Sequence, residues 1–440
     1  METEVSEVLN AMERKIMKKL LDWKDKADRK PLLLNGARQV GKTYILQKLG
    51  REQFDNMVYV NLEKNLLIAG FFLENIDPHR IIRYLEASTQ EKIVPGKTLL
   101  VLDEIQACER SLTALKYFCE EAPEYHVAAA GSLLGVAIHR EKYSFPVGKV
   151  ETVTLYPFDF EEYLLARKKD LLLQEIRNSF ATMEPLPEAL HQEAVELYRE
   201  YLVIGGMPAG IQAFLRNGSF LNVPDVQGEI VNSYVADMAK YANNTESVRI
   251  RACFRSVPAQ LAKDNKKFQY KVVQRGGSAA LFGNAIEWLA YAGVVLKCQK
   301  VQHAEEPLSV YADLASFKLY LGDVGLLTMQ SGISQATILS GADNTFMGAV
   351  TENYVAQQFM AKGYPLYYWA NTGTAELDFL LQKGSDIIGV EVKKGEHTKS
   401  RSLSVFVNEC KPRYSIRLSL KNFGESNGIK AIPLYAAFCI

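Results

Sequence analysis

No run of about 18 apolar residues, the length a membrane-crossing helix needs, occurs anywhere in the chain. The amino terminus, Met1-Glu2-Thr3-Glu4-Val5, starts acidic and lacks the apolar core of a secretory signal. An excess of one charge is also missing. Lys plus Arg number 51, as do Asp plus Glu, so no global field advertises nucleic acid or membrane, and any basic surface must be local. The six cysteines, Cys108, Cys119, Cys253, Cys298, Cys410 and Cys439, show no C-x-x-C spacing, which argues against a zinc site and against a secreted disulfide framework. These absences point to a soluble, cytoplasmic, globular protein with buried thiols and no membrane partner. Its 440 residues suffice for roughly two to four domains with sizeable cores.

What is present is organised around Leu32-Leu33-Leu34-Asn35-Gly36-Ala37-Arg38-Gln39-Val40-Gly41-Lys42-Thr43. An apolar run, a loop of pattern G-x-x-x-x-G-K-T and an apolar-periodic helix follow one another, the context in which this pattern reads as a P-loop. A triphosphate must be gripped by many backbone N–H groups at once, and Gly36 and Gly41 let the loop curl without Cβ clashes. ATP is therefore the expected ligand of residues Gly36 to Thr43. Lys42 reaches the β- and γ-phosphates, the Thr43 hydroxyl binds Mg²⁺, and the helix points its positive end at the anion.

Residues 5–23 carry apolar side chains near helical spacing, with Lys15, Lys18 and Lys19 between them, and predict an amphipathic leading helix within 1–30. From 31 to 155 the pattern is α/β. Residues 57–63 read as a strand, those around 80–89 as a helix, and 98–102 as a buried strand ending in Asp103-Glu104. Two acids at a strand's carboxyl end suit a Mg²⁺-shell ligand, Asp103, and a water-activating carboxylate, Glu104. Residues 125–130 predict another buried strand, after which Ser132 is placed to sense the γ-phosphate. Arg140 and Lys149 are candidates for charge-stabilising fingers acting between copies of a homo-oligomer.

Beyond 156 helices dominate. Asp159 caps one, and Gly205-Gly206-Met207-Pro208 predicts a hinge-like break. The chain divides into a helical lid at 156–230 and a winged-helix-like domain at 231–335. There Lys263, Lys266, Lys267, Lys271 and Arg275 form a modest basic cluster for phosphates or for solvent. A further domain spans 340–440. It holds the second constellation: Glu352 in the first turn of a helix, then Asp378 and Glu391-x-Lys393 on two adjacent β-like segments. Period-2 alternation puts Glu391 and Lys393 on one face. Two acids and a lysine there can hold Mg²⁺ and orient water at a scissile phosphate, with Glu352 completing the shell. A salt-bridged hairpin explains the same pattern without metal.

As an ordered set, these residues resemble the bacterial and archaeal P-loop ATPases of the AAA type that carry a carboxy-terminal DUF4143 domain. The resemblance implies an α/β fold with an ASCE-type P-loop NTPase core, a helical and winged-helix middle, and an α/β restriction-endonuclease-like end domain. It implies nucleotide binding at Gly36, Gly41, Lys42, Thr43, Asp103 and Glu104, and a nuclease-like site at Glu352, Asp378, Glu391 and Lys393. Gly148-Lys149 departs from the Gly-Arg of many relatives, which weakens a finger there, because lysine lacks the planar fork of guanidinium. The leading expectation is a Mg²⁺-dependent ATPase whose nucleotide state drives a nuclease-like domain that engages DNA. A nucleotide-controlled binding switch that does not cut, and an ATPase acting on protein partners, fit the same residues.

Overall fold

A computed structural model describes residues 13–132, 146–241, 244–371, 373, 375–396 and 401–440. These divide into two compact units, one formed by Arg14–Tyr156 with Tyr291–Gly293, the other containing Pro157–Ala290 and Val294–Ile440.

The first unit is built on five strands: β1 (Leu32–Asn35), β2 (Asn56–Asn61), β3 (Thr98–Asp103), β4 (His126–Ala130) and β5 (Glu151–Thr154). Their order is β2-β3-β4-β1-β5, and every pairing is parallel. β4 thus stands between β1 and β3. Strands β3 and β4 are buried along their whole length, which explains why they read as continuous apolar runs rather than alternating ones. Val58, Val60, Leu100, Leu102, Val127 and Ala129 share a core with Phe72, Ile81, Leu85, Leu112, Leu115 and Phe118. The latter lie on the helices Leu66–Glu74, Pro78–Thr89 and Glu109–Glu121. Asp77 starts the second of these by accepting from the Arg80 N–H, with Pro78 in the first turn. Parallel strands bring all carboxyl ends to one edge, where ligands of open α/β sheets bind. Of the leading segment, the helix Ile16–Lys24 is described; it buries Leu20 and Trp23 while Lys18 and Lys19 stay exposed.

The second unit combines helices with an eight-stranded mixed sheet. Its strands are β6 (Val295–Val301), β7 (Ala312–Leu321), β8 (Tyr367–Ala370), β9 (Glu376–Lys383), β10 (Asp386–Val392), β11 (Ser415–Ser419), β12 (Gly424–Ser426) and β13 (Ile429–Pro433). The order is β12-β13-β11-β10-β9-β8-β6-β7. The β6–β7 hairpin joins this sheet: β6 pairs with β8 through Gln299↔Tyr367 to Val301↔Trp369, so strands from the expected 231–335 and 340–440 domains share one sheet. The β7 edge is covered. The Phe268 N–H donates to the Phe317 carbonyl at 2.8 Å, Lys267 bridges Lys318, and the Asn353 amide bonds both the N–H and the carbonyl of Leu321, at 2.7 and 3.0 Å.

Asp159 caps the helix Phe160–Ala166 through a capping box with Glu162. The break at 205–208 is real, but it is a packed joint rather than a hinge. Asp323 Oδ2 accepts from the Gly206 N–H at 2.6 Å, and a Cβ at Gly205 would meet Asp323 Oδ1 at 2.2 Å. Among the described residues no helix is long and apolar enough to cross a membrane, and all six cysteines are free thiols.

Candidate functional site

The P-loop grows from the carboxyl end of β1. Gly36 adopts φ 144°, and a Cβ there would stand 2.2 Å from the Leu155 carbonyl oxygen, so glycine is required. Gly41, at φ 98°, precedes the helix Lys42–Gln53. Ala37 and Val40 are buried, whereas Arg38 and Gln39 are exposed. The Arg14 guanidinium donates to the carbonyls of Val40 and Tyr156, at 3.1 and 2.6 Å, bracing the loop from the leading segment. Lys42 is buried and folds back onto the loop, its Nζ donating to the Gly36 and Ala37 carbonyls at 2.9 and 2.8 Å. A phosphate oxygen is a stronger acceptor than either carbonyl.

Three strand ends converge beside it. The Thr43 hydroxyl donates to Asp103 Oδ2 at 2.7 Å, and the Tyr59 phenol, from β2, donates to the same oxygen at 2.7 Å. Asp103 Oδ1 accepts from the Glu104 N–H at 2.9 Å. Burial and the Asp103 carboxylate push the Tyr59 phenol up to about 12, so it remains a donor. Glu104 sits at φ 51°, a left-handed backbone that costs energy for a non-glycine residue and that persists at functional sites. Its Oε2 accepts from Gln106 Nε2 at 2.5 Å and lies 3.5 Å from Ser132 Oγ, just past the end of β4. The Thr43 hydroxyl and Asp103 carboxylate form an oxygen-only donor pair, which fits a hard cation such as Mg²⁺. Lys149 pairs with Glu120 of its own unit at 2.9 Å; Arg140 lies outside the described residues.

In the second unit Asp378 and Glu391 do lie on neighbouring antiparallel strands, one step beyond the registered pair Val390↔Phe379. Asp378 Oδ2 accepts from the Val392 N–H at 2.8 Å, and Lys393 pairs with Glu391. Glu352 is not in a first turn, because its helix begins earlier, as Met347–Ala361. It is ion-paired with Lys266 and with the buried Lys318, the latter at 3.9 Å, and accepts from the Tyr320 hydroxyl at 3.2 Å. Lys318 also holds Glu376 at 2.6 Å and lies over the Tyr368 ring. Burial opposes ionisation of Glu352, but Lys266 and Lys318 outweigh it and hold its carboxyl below the usual range. Asp378 goes the other way, up to about 8, first through burial and then through Glu352 and Glu391. Among the described residues no group of three or more His, Cys, Asp or Glu side chains is gathered to hold a metal ion. Ammonium groups thus supply positive charge beside Glu352 and Glu391, two of the residues expected to form a metal shell with Asp378.

The basic cluster likewise divides. Lys266 turns inward to Glu352, while Lys263, Lys271 and Arg275 remain exposed. Sequence reasoning passed over Arg14, Tyr59, Gln106 and Lys318. For Lys318 a signal existed: a lone lysine inside the apolar strand run Phe317-Lys318-Leu319-Tyr320-Leu321.

Comparison with known families agrees with this architecture. Residues 28–164 match the model of an AAA domain, 195–337 a domain of unknown function (DUF8612), and 347–437 a domain of unknown function (DUF4143). The chain thus carries an ATPase-type P-loop domain and a carboxy-terminal DUF4143 domain. Similar solved structures include a Walker-type ATPase of Pyrococcus abyssi, at 15% identity over 72% of this chain and 95% of that one, with a TM-score of 0.45. AMPPCP-bound DnaA from Aquifex aeolicus shares 13% identity over 63% and 86% of the two chains, TM-score 0.28. The ORC2 protein of Aeropyrum pernix in its ADP form shares 10% over 76% and 93%, TM-score 0.29. No curated protein matches the chain.

Proposed function

We propose that this chain hydrolyses ATP with Mg²⁺ and uses its nucleotide state to control nucleic-acid binding by the second unit. The observation that carries the reading is the placement of Glu104, held by Gln106, near Ser132 and next to the Thr43–Asp103 pair. The loop N–H groups and Lys42 grip the β- and γ-phosphates. Thr43 and Asp103 hold Mg²⁺, which when bound neutralises phosphate charge. Glu104 orients the attacking water and Ser132 contacts the γ-phosphate, so catalysis rests on positioning and fixed charge. Lys42→Ala is expected to lower ATP turnover at least about a hundredfold. Steady-state phosphate release tests this, and wild-type turnover in the purified variant would overturn it.

For the second unit, binding without cutting is favoured over cleavage, because Glu352 is neutralised by Lys266 and Lys318. Plasmid DNA incubated with the protein and Mg²⁺ or Mn²⁺ is expected to stay intact, while DNA affinity falls as salt rises. Metal-dependent cutting that disappears in both Asp378→Ala and Lys393→Ala would restore the nuclease reading. Absence of DNA binding even at low salt would favour a protein partner.

A further inference from the structure

The second unit contains a cavity of about 570 Å³, within the span of roughly 300–1,000 Å³ typical of small-molecule sites. Three cations line it, Arg199, Lys393 and Lys394, against one carboxylate, Asp343. Lys394 is tied to Asp343 Oδ1 at 2.5 Å and to the Asn344 carbonyl at 2.9 Å, and Lys393 to Glu391. Arg199 is different. Half-buried, it makes no hydrogen bond or ion pair among the described residues. Its guanidinium lies over Gly341, where a Cβ would come within 2.4 Å of Nη2. Gly341, at φ 69°, ends the helix Gln335–Ser340 and leaves that space open. On the same wall Leu202, Ile338 and Met347 supply an apolar surface.

We propose that this cavity binds a phosphate monoester of nucleotide size, with its phosphate on Arg199 and Lys393 and its body against Leu202, Ile338 and Met347. An unpaired guanidinium offers the two-pronged geometry that a phosphate matches, and the excess of cations over carboxylates disfavours a metal ion in the same space. The apolar wall accommodates a base or a similar ring. Lys393 is shared with Glu391, so occupancy draws that ammonium partly away from the carboxylate cluster. The site needs a terminal phosphate only, unlike the P-loop, which grips β- and γ-phosphates, and it stands whether or not the ATPase reading holds.

The terminal phosphate can belong to a free mononucleotide or to the 5′ end of a DNA strand, and the test separates them. Full-length protein carrying Lys42→Ala, which silences the P-loop, is titrated with 5′-AMP against adenosine, and with 5′-phosphorylated against 5′-hydroxyl oligothymidylate. At least one phosphorylated probe is expected to bind about tenfold or more tightly than its unphosphorylated counterpart, corresponding to about 1.4 kcal/mol. Arg199→Gln should abolish that preference at an unchanged melting temperature. Lys393→Gln, at the second phosphate contact and half-exposed, should reduce it, and decides the matter if Arg199→Gln fails to fold. A preference confined to AMP identifies a free nucleotide, and one confined to the oligomer a strand end. Equal affinity with and without the phosphate, or a preference that survives both substitutions, overturns the proposal.

Discussion

A single carboxylate oxygen, Asp103 Oδ2, accepts both the Thr43 and the Tyr59 hydroxyls, and its companion accepts the Glu104 N–H. The carboxylate is thereby oriented before any nucleotide arrives, the kind of support that fixes a catalytic group to within a fraction of an ångström. In the proposed function Glu104 has the complementary task. Glu104→Gln keeps the Gln106 contact's shape but removes the negative charge that draws a proton from water, so ATP binding should persist while turnover falls at least about a hundredfold. Nucleotide affinity measured beside single-turnover hydrolysis checks this; equal loss of both would assign Glu104 to binding. The phosphate loop and the two acids were legible in the sequence because their chemistry demands fixed residue types at fixed spacing. Tyr59 and Arg14 were not: the first reaches Asp103 across 44 residues and the second reaches Tyr156 across 142, and no local pattern marks either.

Among the elements, β7, β9 and β10 assemble a charge network that is largely shielded from water. Breaking one partner of such a network strands the others, which makes it more a matter of fold specificity than of stability alone. Asp378 gives it a pH signature. In the folded chain its carboxyl holds a proton up to about pH 8, whereas the unfolded chain releases it near 3.9. The folded state therefore binds the extra proton between those values. The contribution of this group to stability is full below about pH 4 and declines as pH rises through about 8. Urea midpoints of wild type should fall between pH 5 and 9 more steeply than those of Asp378→Asn, and parallel slopes would remove Asp378 as the cause. The strands themselves were readable from alternation, and Glu391 and Lys393 do share a face. What alternation could not tell was the partner of Glu352, since Lys266 and Lys318 come from segments 86 and 34 residues away.

At the scale of the molecule, the proposed control of nucleic-acid binding in the second unit by nucleotide in the first is a coupling free energy. Such coupling is reciprocal. In the Glu104→Gln protein, which holds ATP without turning it over, the factor by which ATP changes DNA affinity should equal the factor by which DNA changes ATP affinity, about 5–150-fold for ordinary allosteric proteins. Two titrations measure it, and factors of one in both would leave the units uncoupled. The sharing of one sheet across 335–340 was not legible in the sequence, because composition marks loops well, while the pairing of β6 with β8 is a long-range choice made by the sheet as a whole. That sheet also has two ends. At one, β12 is only three residues long; at the other, the Phe268 N–H and the Asn353 amide occupy backbone groups of β7 that an intruding strand would seek. A sheet closed in this way resists edge-to-edge growth, so a side chain buried for packing, Asn353, doubles as a guard against polymerisation of the chain it helps to fold.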